Sequence, residues 1–276
     1  AEVVLELGGH VSDPLADRID QLRTRLMTEL GIFLPRIEMN EAEAGRWRLL
    51  IDDVPVESGP FSPSDEAGLL ARLEVALRRA APAFVGVQET QDMLDRLEKS
   101  QPALVREVVP RLVPTVLLSE ILTRLIEEQV PVRNLRNILA TLAEWARTEA
   151  DPAQLAERVR LALAPLISHQ VAPEGQFEPL LLDPGVEEVI ERSLQRSEGG
   201  THLALNPEEG EKILKGLGKA VAGGREGRPV ILTRPEIRRP FFSLIGKTHP
   251  GVRVISYLEL DPLVSIRPAG KVSLAA

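Results

Sequence analysis

The chain contains no cysteine. That absence excludes disulfides, thiolate metal sites and cysteine nucleophiles, and it fits a reducing compartment. Aromatic residues make up only 3%, so a core has to be built from Leu, Val, Ile and Ala. A basic excess is missing too. Lys and Arg number 33 against 41 Asp and Glu, for a net charge of −8, which argues against a general nucleic-acid binder and suits a soluble cytosolic surface. No apolar run approaches the roughly 18 residues that a membrane span requires. No charged-then-apolar leader opens the chain. The first residue is Ala rather than Met, which points to a piece of something longer.

What is present is a globular composition: 276 residues, 43% hydrophobic, enough for one large or two to three small domains with real cores. Residues 3–7 alternate as a strand. Leu15, Ile19, Leu22, Leu26 and Leu30 follow at helical spacing, with Asp13 expected as N-cap, Pro14 in the first turn and Gly31 as the stop. "RIEMN", "RWRLLID" and "VPVE" read as strands, with Trp47, Leu49 and Ile51 on one face. Residues 57–64 read as a turn-rich loop before a helix from Asp65 to about Ala81.

From Gln88 to His169 the pattern is helical throughout, divided by prolines. Leu118, Ile121, Leu122 and Leu125 make one stripe, and Leu135, Ile138, Leu139, Leu142 and Ala146 another behind the cap Asn134. A third helix from Pro152 is assigned Val159, Leu161, Leu163 and Leu166. After a linker at 170–178, strands and helices alternate: "PLLL", "PGVEEVIERSLQ", "HLAL", "PEEGEKILKGLGKAV", "PVILT", "PEIRRPFFSLIG" and "VRVISYLEL", with a closing hairpin through "LVSIRP". The expected fold class is therefore α+β in three parts: 1–85, an N-terminal α/β subdomain; 86–170, helical; and 171–276, a C-terminal α/β subdomain.

Gly246, Lys247 and Thr248 match the end of a phosphate-binding loop. However, the earlier glycine position is Phe241, and a helix precedes the motif where a strand should. "GGREG" (223–227) precedes a strand rather than leaving one and reads as a surface loop. His10, His169, His202 and His249 are too scattered for metal ligation. Adjacent acidic pairs such as Glu127 and Glu128 point in different directions on a helix, and no G-x-S-x-G elbow occurs. No catalytic residue, cofactor site or metal site is expected, so the chain reads as a non-enzyme.

The least ordinary segment is "EEQVPVRNLRNILATLAEWA" (127–146), where Arg133 and Arg136 border an apolar stripe and the preceding helix carries Glu120, Glu127 and Glu128. Spacing alone favours ordinary intrachain pairs, with contacts between subunits as the sharper reading. This segment resembles the signature of the type III secretion and flagellar export-gate family, the FlhA/SctV or FHIPEP proteins. "LRTRLMTELGIFLPRIEM" (22–39), "QETQDMLDRLEKSQPALVREVVP" (88–110), "ERVRLALAPLISHQ" (157–170) and "PVILTRPEIRRPFFSLIGKTHPGVRVISYLELDP" (229–262) resemble further family blocks in the same order.

The resemblance implies an N-terminal α/β sandwich, an all-helical ring-forming middle and a C-terminal thioredoxin-like unit. It implies a cytoplasmic domain that follows a bacterial inner-membrane channel, forms a nine-membered ring with copies of itself, and receives export substrates and chaperones beside a separate ATPase and its stalk. Glu120, Glu127, Arg133 and Arg136 become candidate subunit-interface residues. The family's inserted subdomain has only 57–64 in its place. Its Thr-His pair stands here as Ala71 and Arg72, degenerate positions of a chaperone site. A soluble adaptor derived from the family, without chaperone docking, is the alternative.

Overall fold

The computed structural model describes residues 2–9, 12–42, 45–197, 200–223 and 228–275. It is a mixed α+β chain that divides into two compact units, Ala1–Thr148 and Glu149–Ala276. The three-part division expected from the sequence is finer than this and cuts the chain at other places.

In the first unit, β1 (Val3–Leu7) buries Val3, Leu5 and Leu7. Helix α1 (Asp13–Leu30) buries all five residues of the expected stripe. Its cap is Ser12 rather than Asp13: the Ser12 side chain accepts from Leu15 N at 3.4 Å. That places Asp13 and Pro14 in the first turn, where no intrahelical N–H is required of proline. Gly31 closes the helix at φ +75°, its N–H on Met27 O at 2.9 Å.

Strands β2 (Ile37–Glu41), β3 (Arg46–Ile51) and β4 (Val54–Pro60) complete a sheet of order β2-β1-β3-β4, parallel only between β1 and β2. The turn-rich loop expected over 57–64 begins later, because β4 pairs with β3 as far as Arg46↔Pro60. An edge strand tolerates Pro55 and Pro60, since no outward N–H is needed there.

Helix α2 (Glu66–Ala80) starts at Asp65, whose carboxylate accepts from Gly68 N at 3.1 Å. A 3-10 turn at Ala81–Phe84 leads to α3 (Val87–Glu98), α4 (Pro102–Val108), α5 (Thr115–Glu127) and α6 (Leu135–Trp145). Ser119 and Thr123 both donate to Val85 O, at 3.2 and 3.1 Å, and pin α5 to the turn before α3. The apolar stripes of α5 and α6 are buried as their spacing requires, except that Ala146 caps α6 from outside the helix and is only half-buried.

The second unit opens with α7 (Pro152–Ala162) and α8 (Ala164–Val171). Its inward face is Leu155, Val159, Leu163 and Ile167. Leu161 is exposed and Leu166 only half-buried, because the chain breaks at Leu163 and the helical phase restarts. Next come β5 (Gln176–Phe177), β6 (Leu180–Leu182), α9 (Pro184–Arg192), β7 (Leu194–Ser197), β8 (Gly200–Leu203) and α10 (Pro207–Ala222). The unit closes with β9 (Val230–Thr233), α11 (Pro235–Ile245), β10 (Arg253–Ser256), β11 (Ser265–Ile266) and β12 (Gly270–Val272).

Strands β10-β9-β6-β12 form a sheet that is parallel at every pair, so each junction needs a crossover connection. Its core includes Val186, Ile190, Ile213, Leu217, Ile231, Ile237, Phe241 and Val272.

Three further expectations differ from the structure. Residues 194–197, read as the end of a helix, form a hairpin strand against β8. The last long strand stops at Ser256 and turns through Tyr257–Glu259. "LVSIRP" is no hairpin, since β11 pairs in parallel with β5. "GGREG" lies, apart from Gly223, outside the described residues, as does His10.

Candidate subunit-contact surface

Burial of the α5 stripe turns Val116, Glu120 and Glu127 outward, at steps of four and seven. Glu120 accepts from Arg124, one turn along, at 2.8 Å. Glu127 forms no ion pair among the described residues. Partial burial raises its pKa, as does the neighbouring Glu128, while Arg124 opposes them. Arg133 and Arg136 both face solvent at the start of α6, and neither has an ion-pair partner among the described residues. The acidic groups therefore do not pair with these arginines. Consecutive helices present opposite charge, and among the described residues three of the four groups form no ion pair.

The segment carrying Arg133 is fixed from below. Val132 N donates to Leu30 O at 2.9 Å. A Cβ on Gly31 would lie 2.4 Å from Arg133 N, so only glycine permits this approach. Arg78, buried on α2, donates to Glu74 at 3.0–3.1 Å, to Glu29 of α1, and to the Gln129 side chain at 3.4 Å. Gln129 donates back to Arg78 O at 3.3 Å and holds φ +60°. One buried guanidinium thus joins α1, α2 and the α5–α6 link. Sequence reading missed Arg78 and Gln129, whose only hint was an arginine next to Ala76 and Leu77 on the buried side of α2.

Ala71 is exposed and lines a groove of about 470 Å³ between α1 and α2, together with Arg18, Gln21, Arg25, Leu70 and Glu74. Ion pairs Arg18–Glu66 (2.8 Å) and Arg25–Glu74 (2.6 Å) cross between the two helices. Arg72 turns elsewhere: its guanidinium carbon sits 5.9 Å from the Trp47 ring centre, and it donates to Pro60 O at 3.2 Å and Asp65 at 3.5 Å.

In the second unit, Gly246 ends α11. The N–H groups of Gly246, Thr248 and His249 are all donated to the preceding turn, at 2.8, 3.0 and 2.7 Å. None of the three is left to hold a phosphate, so the motif is a connector. No group of three His, Cys, Asp or Glu side chains among the described residues could hold a metal ion. No described helix is long and apolar enough to cross a membrane.

Arg160 and Glu259 form a dry ion pair, with side chains 2% and 1% exposed and a closest approach of 2.5 Å. Ser256 donates N–H and hydroxyl to the other Glu259 oxygen at 2.6 and 2.9 Å. This is why the chain turns after β10. Arg238, also buried, pairs with Glu157.

A mixed α+β chain of this build is the fold of secretion-protein cytoplasmic domains. It superimposes on the structure of the Chlamydia pneumoniae CdsV and CdsO complex with a TM-score of 0.83 and 29% identity, covering 99% of this chain and 97% of that one. Nonameric EPEC SctV-C shares the fold, with a TM-score of 0.80 and 24% identity over 99% and 98% of the two chains. The FHIPEP family matches residues 64–265, and the chain belongs to that family. Protein hrpC2 of Xanthomonas euvesicatoria is 31% identical over 264 residues, which cover 94% of this chain and 41% of hrpC2. The chain thus spans less than half the length of that relative.

Proposed function

We propose that this chain is the cytoplasmic, ring-forming scaffold of a type III secretion export gate and receives export substrates beneath an inner-membrane channel. The observation that carries the reading is that Glu127 on α5, Arg133 just before α6 and Arg136 on α6 are exposed and form no ion pair among the described residues, in the segment that carries the family signature. A ring joins unlike faces of neighbouring copies, so the acidic face of one copy meets the basic face of the next. The relative SctV-C was solved as a nonamer, which supports nine copies here. CdsV was solved in complex with CdsO, which supports a second protein among the partners, and the ATPase stalk is the one this reading assigns. In this reading the α/β sandwich lies in the first unit, the helical middle (86–170) begins in the first unit and ends with α7 and α8 of the second, and the last part is the thioredoxin-like unit.

The chaperone-free variant of this role has its own support. Arg72 is engaged with Trp47 and Pro60, leaving Ala71 as the only member of that pair in the α1–α2 groove.

The test is light scattering of the chain across a wide concentration range, because without a tether a weak contact forms only at high concentration. Arg133→Glu should lower ring occupancy while the melting temperature stays within about 3 °C, an exposed charge being worth about 0–1 kcal/mol to folding. Rings that form equally well with Arg133→Glu and with Glu127→Lys would remove α5 and α6 from the contact.

A further inference from the structure

Strand β4 ends its sheet and leaves one edge open. Phe61 N donates to Gly45 O at 2.9 Å, with Trp47↔Gly59 and Leu49↔Glu57 in register. Antiparallel pairing alternates, so residues 57, 59 and 61 turn their backbone groups toward β3, and Ser58 and Pro60 turn theirs outward. Pro60 has no N–H, and its carbonyl is taken by Arg72 at 3.2 Å. Beyond the irregularity at Leu49/Leu50, the carbonyl of Val56 is taken by Arg79 at 2.6 Å, and Arg79 also pairs with Glu57 at 2.8 Å. Arg72 and Arg79 are seven apart on α2, two turns of one helix face, and their targets are four apart on the strand.

We infer that Arg72 and Arg79 are straps that close the β4 edge against strand addition by a second copy of this chain. An unguarded edge offers a row of donors and acceptors to any other strand. Here both carbonyls flanking Ser58 are occupied, and one neighbour lacks a donor. Ser58 alone keeps an outward N–H and an outward C=O. A residue of that kind is self-complementary: two copies can exchange both bonds as an antiparallel doublet. The occupant of the unstrapped edge is therefore the same strand of another molecule: Arg72 denies it the Pro60 carbonyl, and Arg79, bonded to the Val56 carbonyl and paired with Glu57, lays a charged side chain across the other side of Ser58.

The experiment compares Arg72→Ala/Arg79→Ala with the parent chain, both carrying Arg133→Glu so that α5–α6 contacts do not contribute. Sedimentation velocity and amide hydrogen exchange are read together. The double variant should associate at a concentration at least about tenfold lower, with slower exchange of the Ser58 amide in the associated form. Adding Ser58→Pro should return it to monomer. Arg106→Ala/Arg111→Ala, which removes equal charge elsewhere, should leave it unchanged. Association no stronger than the parent's, or association with the Ser58 amide unprotected, overturns the inference. If the alanine pair does not fold, Arg72→Lys/Arg79→Lys replaces it. It should associate to an intermediate degree, and parent-like sedimentation with a parent-like Ser58 amide would equally overturn the claim.

Discussion

Replacing Gly31 by Ala tests how the signature segment is held. Two costs add at this position. Gly31 has φ +75°, a left-handed conformation that costs a residue with a Cβ about 1–2 kcal/mol. The new methyl would also meet the Arg133 backbone at 2.4–2.6 Å, and forced overpacking of that kind costs about 1–3 kcal/mol. Together they come to about 2–5 kcal/mol. The first unit spans Ala1–Thr148. At an unfolding entropy of about 2.1 cal/mol/K per residue, a unit of that size loses about 3 °C of Tm per kcal/mol. The expected fall is about 6–16 °C.

Both tryptophans, Trp47 and Trp145, lie in that unit, so tryptophan fluorescence follows its melting alone. Gly45→Ala is the control. Gly45 has φ +79° but nothing within 4 Å of an added Cβ, so it should show only the conformational part, about 3–6 °C. A Gly31→Ala variant no worse than Gly45→Ala would refute the claim that residues 129–133 are seated on the end of α1.

Glu259→Gln should cost about 3–5 kcal/mol, because it leaves the Arg160 guanidinium dry and without its carboxylate. Urea unfolding followed by circular dichroism reports it, and a cost below about 1 kcal/mol would contradict the reading. Arg160→Met/Glu259→Leu should recover most of the loss. Glu127→Gln should change the pH profile of stability. Burial raises the Glu127 pKa in the fold, so the folded chain holds that proton more tightly than the unfolded chain. The carboxyl's contribution is neutral below its ordinary value and turns unfavourable as pH climbs through the raised one. Melts from about pH 4 to 7 should show the variant gaining on the parent as pH rises, whereas parallel curves would count against it.

Long regular elements were legible because periodicity needs length to declare itself. Five leucines and isoleucines over α1, followed by Gly31, name a helix and its end. Three-residue strands such as β6 and β12 carry no period. Leu194 sits four after Ile190, so β7 imitated another turn of α9 until pairing with β8 decided otherwise. The α5–α6 surface was legible as charges between buried stripes. Its support was not: Arg78 reaches Glu29 and Gln129, 49 and 51 positions away, and no local spacing encodes such a contact. Glu259 similarly needs Arg160, 99 residues earlier.

The place of β12 bears on how the molecule is made. Residues 270–272 supply the strand beside β6, at 180–182, and the carbonyl of Ser273 presses so close to α10 that a methyl on Gly216 would fall 1.9 Å from it. A nascent chain emerging from the ribosome thus exposes one flank of β6 until about ninety further residues have been translated. The first unit is complete in sequence by residue 148 and can close well before. During synthesis the second sheet waits longer for its last strand than the first, whose four strands all lie within residues 3–60.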